Sequence, residues 1–160
     1  MTNTLKSGGF DQLDHAILRE LQHDGRMSVT DLGRRVHLSP PAVYQRIKRL
    51  ERTGVIQRYV ALIDRAAAGY DVLCYIKLSL QPHTRERWAA FQAAIDALTA
   101  VQECYHIAGS FDILLKVVAR DHKALERFVA DQLMTLDGVE RIETNVVLNE
   151  MKVTTQLALD

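Results

Sequence analysis

The sequence predicts an α+β fold in two parts, three short capped helices followed by a β-α-β-β-α-β run. Apolar residues recur at three- and four-residue spacing as far as Leu50, and a two-residue alternation takes over at Val72. Gly and Pro breaks separate the segments. A chain of 160 residues is long enough for one large domain or two small ones, and 48% apolar with 25% charged residues is ordinary for a globular protein. No apolar run approaches the roughly 18–20 residues that span a bilayer. Met1 to Phe10 lacks the basic-then-apolar order of a secretory signal. Cys74 and Cys104 form neither a disulfide framework nor a metal-ligand spacing. A cytoplasmic protein without membrane contact, cofactor or metal is expected.

Net charge is zero, but its distribution is uneven. Residues 1–60 carry 10 Lys/Arg against 6 Asp/Glu, and residues 61–160 carry 10 against 14, so the halves differ as +4 and −4. Between Arg34 and Arg58 seven cations (Arg34, Arg35, Arg46, Lys48, Arg49, Arg52, Arg58) face Glu51 alone. Such a half suits a polyanion, although a solvated helix face has the same composition.

The helical pattern decides. Asp11 caps a first helix with Leu13, Ile17 and Leu21 on one stripe, ended by Asp24-Gly25. Ser28 opens a second, with Val29, Leu32 and Val36 inward, that stops at His37-Leu38. Ser39 caps a third and Pro40 occupies its first position, where a missing N–H is harmless. Val43, Ile47 and Leu50 face inward, which turns Pro41, Tyr44, Gln45, Lys48 and Arg52 outward. A glutamine can bond adenine bidentately, and Lys or Arg reaches guanine or phosphate. A short turn between a packing helix and a polar-basic one describes a helix-turn-helix, here winged-helix-like. Ser39 would place a hydroxyl and free amides where a phosphate could dock.

The run Phe10-Asp11-Gln12-Leu13-Asp14-His15-Ala16-Ile17-Leu18 with Asp24-Gly25-Arg26, Leu38-Ser39-Pro40, Arg46-Ile47-Lys48-Arg49-Leu50-Glu51 and Gly54-Val55-Ile56 resembles the leucine-responsive/asparagine regulator (Lrp/AsnC) family. The resemblance implies a transcription regulator whose helix Ser39–Arg52 enters the major groove. Its recognition positions fall on Ser39, Tyr44, Gln45, Lys48 and Arg49. With Arg34 and Arg35 these make the expected DNA-binding set: Arg34, Arg35 and Arg49 on phosphates, and Tyr44, Gln45 and Lys48 on base edges.

Gln57 to Ile63 alternates as a strand, and Asp64 to Gly69 reads as a small-residue connection. The boundaries expected are 1–56 for the helix-turn-helix domain, 57–70 for connecting strand and linker, and 71–160 for a ferredoxin-like βαββαβ domain. Its elements are a strand Val72–Leu80 ended by Gln81-Pro82, a helix Arg85–Ala100 with Trp88, Phe91, Ile95 and Leu98 inward, and strands Val101–Ala108 and Asp112–Arg120. A helix capped by Asp121, with Leu125, Phe128, Val129, Leu133 and Leu136 inward, and a last strand from Val139 to Val147 or beyond complete it. Both faces of the first and third strands are rich in apolar residues, so a second copy is expected over the sheet's open face; the helical domain is the alternative cover. The resemblance extends the expected homodimer to a tetramer or octamer on a near-palindromic operator.

The resemblance recurs at Ala108-Gly109-Ser110-Phe111-Asp112, where the family turn usually reads Gly-Asp-aromatic-Asp beside an amino-acid effector site between subunits. Ser110 stands where an acid is expected. Gly109, Ser110, Asp112 and, in the last strand, Thr144 are the effector residues the resemblance implies. Read as residues alone, the same turn is a Gly-Ser hairpin with a solvated Asp.

Catalysis finds no constellation. Cys104 and His106 share a strand face without an orienting acid, the six histidines are scattered, and no phosphate-cradling glycine loop occurs. The competing function is a ferredoxin-like ligand-binding or metabolic module with a protein-docking helical appendage. Salt-sensitive retention on duplex DNA separates the two.

Overall fold

The computed structural model describes residues 10–81 and 84–159. The readings that rest on Met1 to Gly9, on Pro82 as a strand stop and on His83 lie outside the described residues. The chain divides into two compact units, one made of residues 10–62 with 153–159, the other Ile63–Lys152.

In the first unit α1 spans Gln12–His23, α2 Val29–Val36 and α3 Pro40–Arg52. Asp11 and Asp14 close a reciprocal capping box at the start of α1, each carboxylate accepting the other's amide at 2.8 and 3.2 Å. Ser28 Oγ accepts the Asp31 amide at the start of α2. The stripes predicted from spacing converge: Ile17, Leu32, Val43 and Leu50 are completely buried and Val36 nearly so. Their burial, worth roughly 1.5–3 kcal/mol for each large side chain, holds three helices too short to persist alone. His37 ends α2 in the left-handed region at φ 57°, and the Leu38 amide donates to Gly33 O at 2.9 Å. Gly33 lies so close to that turn that an added Cβ would stand 2.7 Å from Leu38 O.

Val55 and Ile56 both turn their amides to Leu50 O and pack on the helical core, ending α3 rather than opening a strand. Among the described residues no strand forms over Gln57 to Ile63, although the alternation predicted one. Alternation sets which side chains share a face, but a ladder also needs a neighbour, and the sheet formed among the described residues consists of four other strands. Val60, Leu62 and Ile63 are left 63%, 77% and 72% exposed. Asp64 to Gly69 forms an ordered turn. The Asp64 carboxylate accepts the Ala67 amide, and Arg65 bonds Tyr70 O, Asp71 O and the Glu150 carboxylate.

The second unit has the predicted order: β1 Val72–Leu80, α4 Arg85–Asp96, β2 Val101–His106, β3 Ile113–Ala119, α5 His122–Arg127 and β4 Val139–Val146. The sheet is antiparallel with strand order β2-β3-β1-β4, the ferredoxin-like arrangement. Helix α4 stops four residues short of the predicted Ala100. The Leu98 amide turns to Ile95 O, and the Val101 amide to Leu98 O, to lead into β2. Beyond α5 the helix widens into a π-helical turn, Phe128–Leu133, closed by the Met134 amide on Val129 O at 2.9 Å. The wider turn brings both Phe128 and Leu133 into the core with Cys74, Ile76, Leu78, Leu115 and Val117.

The sheet's other face is less apolar than the sequence of β1 and β3 predicts. Leu73 and Val118 are buried, but Lys77 pairs with Glu143 at 2.7 Å and Lys116 with Glu103 at 3.0 Å. The acids come from β4 and β2, and the register sets them beside the lysines: Lys77 faces Glu143, and Lys116 faces Glu103.

Candidate functional site

With Val43 and Leu50 fixed inward, helical geometry turns Tyr44, Gln45 and Lys48 to the surface together. Tyr44 is 49% exposed, Gln45 is exposed, and among the described residues the Gln45 side chain makes no hydrogen bond. Lys48 Nζ sits 5.7 Å from the Tyr44 ring centroid and 2.8 Å from Glu51 Oε2. Its hydrogen bond to the Glu51 carboxylate holds the ammonium's pKa above the usual lysine value. The Tyr59 phenol's pKa is pushed up by burial first and by the charge of the Glu51 carboxylate second.

The predicted phosphate contacts are already ion-paired. Arg34 meets Asp31 and Arg35 meets Glu20, each at 2.7 Å and largely exposed. Exposed pairs of this kind are worth about 0–1 kcal/mol, so either arginine can exchange its carboxylate for a phosphate. Arg49 differs: its Nη2 is bonded to Asp14, a completely buried carboxylate. Arg46, one of the seven cations of the basic stretch, bridges Asp14 and Asp11 at 2.7 to 2.8 Å. The Asp11 carboxyl is held below the usual range chiefly by that Arg46 bond. An acid on a helix ordinarily reads as solvated, and only the spacing Asp11-x-x-Asp14 signals the cap in which Asp14 is buried and Asp11 stays half exposed.

Ser39 occupies the N-cap position, exposed, but its hydroxyl makes no capping bond. Pro40 and Pro41 have no N–H, and the Val43 amide is spent on Ser39 O. The expected set of free amides on that turn therefore reduces to Ala42.

Gly109, Ser110 and Asp112 form the turn between β2 and β3. Gly109 takes φ 149° with open space where a Cβ would stand. The Ile107 amide donates to Asp112 O and the Asp112 amide to Leu78 O, at 2.8 and 2.9 Å. Asp112 Oδ2 accepts the Leu80 amide at 2.9 Å, so this carboxylate is tied to the backbone of β1 rather than solvated. Phe111, buried, lies between Arg141 and Lys77, whose charges stand 4.6 and 5.5 Å from its ring centroid. Thr144 is elsewhere: it pairs with Ile76 in register, on the helix-covered face. It lines an open cavity of about 360 Å³ with Val129, Met134, Val139, Glu140 and Ile142. Three of the four expected effector residues are thus together, and Thr144 is not with them in one chain.

His106 rests against Trp88, ring centroids 4.3 Å apart, while burial pushes the Cys104 thiol up, away from a reactive thiolate. Among the described residues, no helix is long and apolar enough to cross a membrane.

Residues 10–51 match the family model described as the AsnC-type helix-turn-helix domain, and residues 73–157 the Lrp/AsnC ligand binding domain. The chain is 37% identical to the leucine-responsive regulatory protein of Salmonella typhimurium over 93% of its own length and 91% of the relative's. To the transcriptional regulator AzlB of Bacillus subtilis it is 34% identical, over 94% and 96%. Among solved structures, a transcriptional regulator of Neisseria meningitidis in complex with L-Met superposes with a TM-score of 0.91 at 32% identity, covering 95% of this chain and 98% of that one. Two domain matches that together cover most of the chain, on the fold described, make it a member of the Lrp/AsnC family of helix-turn-helix transcriptional regulators.

Proposed function

We propose that this regulator binds a near-palindromic duplex operator as a cytoplasmic homodimer, assembled further into a tetramer or octamer, and performs no catalysis. In this reading Tyr44, Gln45 and Lys48 meet base edges, while Arg34, Arg35, Ser39 and Arg49 meet phosphates. The observation that carries it is the unbonded, exposed amide of Gln45, which shares the outward side of α3 with the Tyr44 ring and the Lys48 ammonium above it. A second copy accounts for the apolar surface this chain leaves uncovered at Val60, Leu62 and Ile63.

Binding-site selection from random duplexes tests the base contact. Gln45→Ala is expected to lose roughly 1–3 kcal/mol of discrimination at one base pair in each half-site, with the other positions unchanged. A uniform loss over all sequences would reassign Gln45 to the backbone.

The effector reading places an amino acid, or a molecule like one, between subunits at the Gly109–Asp112 turn, with Thr144 contributed from the other chain. The neisserial relative's complex with L-Met supports that ligand class. A ligand there biases one assembly over another only by its differential affinity. Asp112 serves the turn first. Asp112→Asn is therefore expected to weaken the response to every amino acid that wild type answers, read as the ligand-dependent change in subunit count by light scattering. An unchanged response would place the effector at another site.

A further inference from the structure

We propose that Asp14 is a positioning residue for DNA contact. Its buried carboxylate grips one edge of the Arg49 guanidinium and so turns the remaining donors of that side chain outward, toward a backbone phosphate. The inference rests on the reading of Arg49 as a phosphate contact and names what orients it.

The geometry is asymmetric in the way such a role requires. Asp14 has no exposed side-chain surface, whereas the Arg49 side chain is 45% exposed, so one end of the pair is in the core and the other at the surface of α3. The two Asp14 oxygens are divided: Oδ1 takes Arg46 Nη1 at 2.8 Å, and Oδ2 takes Arg49 Nη2 together with the Asp11 amide. Arg46 is the closing member, only 24% exposed and shared with Asp11. Arg49 makes no other side-chain hydrogen bond among the described residues. A guanidinium carries five N–H donors in one rigid plane, so fixing Nη2 fixes the direction of the rest. An arginine held this way in the free protein loses little rotamer freedom on meeting a phosphate, unlike a free surface arginine.

Charge alone argues the opposite sign. An acid beside a phosphate contact subtracts positive charge, and its removal would tighten binding. The two accounts separate in the salt dependence of binding to a random-sequence duplex, where the phosphate contribution is independent of sequence. For the full chain, Arg49→Ala is expected to lower the slope of log K against log salt by about 0.9 per bound protomer, one phosphate's worth. Asp14→Asn, which keeps the volume and removes the charge, is expected to lower it equally, and the double variant to go no lower.

A wild-type slope or tighter binding in Asp14→Asn, with the slope reduced in Arg49→Ala, overturns the inference and leaves the phosphate reading standing. So do additive losses in the double variant. A wild-type slope in Arg49→Ala overturns both. Should circular dichroism show Asp14→Asn unfolded, Arg49→Lys supplies the contrast on a half-exposed residue. An ammonium claimed by Asp14 has no rigid plane to present, so its slope is expected to fall with that of Arg49→Ala, and a wild-type slope there overturns the proposal.

Discussion

At the scale of single residues, burial and closeness decide which positions tolerate change. Gly33 lies inside α2, where glycine costs helix stability, yet a methyl group there would stand 2.7 Å from Leu38 O in the turn that leads to α3. Backbone cannot yield as a flexible side chain does. Gly33→Ala is expected to cost about 1–3 kcal/mol, seen as a lower urea midpoint with an unchanged m-value. His37 shows the reverse case. It is the one non-glycine residue at positive φ among those described, and the left-handed region costs any residue with a Cβ more than it costs glycine. Since the gain at the helix end exceeds the added freedom of the unfolded chain, His37→Gly is expected to raise stability by up to about 1 kcal/mol, measured by the same titration. A fall instead would show that the His37 side chain holds the turn by a contact stronger than the strain.

At the scale of elements, the sheet's carboxylates share the acid limb of stability with Asp11, held down by Arg46, and Asp137, held down by Arg87. Glu103 is held below its ordinary value of 4.5, chiefly by the Tyr105 hydroxyl and then by Lys116, and Glu143 by Lys77 and then Asn145. A depressed folded-state pKa contributes stability above the unfolded value that is lost as pH falls through the folded one. Midpoints of urea unfolding should therefore decline below about pH 4.5, and Glu143→Gln, already lacking its charge, should decline less steeply over that range. Elements also show what was legible in advance. Side-chain caps gave α1 and α2, Pro40 at the first position gave α3, and apolar spacing all three, because these signals act within one turn of helix. Strand β1 was bounded by its own alternation. The π-helical turn was not visible, because Phe128 and Leu133 suit the inward stripe of an α-helix nearly as well. The Asp14 cluster was missed because its partners lie 32 and 35 residues away, a distance local patterning does not reach. The turn at Gly109 was legible from the glycine, but nothing in one strand's sequence says that Thr144 faces the helices.

At the scale of the molecule, the first unit is completed by the end of the chain. Gln22 clamps Leu157 with both ends of its amide, Nε2 to Leu157 O at 3.2 Å and Oε1 from the Leu157 amide at 2.7 Å. Arg19 Nη1 reaches Leu159 O at 2.9 Å, and Leu159 packs against the helical core. The expected boundary, which gave 71–160 to one domain, thus places residues 153–159 differently from their packing. An irregular segment of this kind has no periodic pattern to announce its packing in sequence. Gln22→Ala is expected to speed hydrogen exchange at the Leu157 amide by tenfold or more while leaving β1 amides protected, since only local opening is eased. Equal acceleration in both would mean that the whole fold had weakened.

That return of the chain has a topological consequence. The polypeptide passes from one unit to the other twice, between Leu62 and Ile63 and again between Lys152 and Val153. A protease that nicks only the first passage leaves the halves joined through the second, so the products part only under denaturation or after a second cut. A fragment truncated at Leu62 also lacks a strip of its own packing, and a recombinant DNA-binding half is better designed with residues 153–159 supplied alongside.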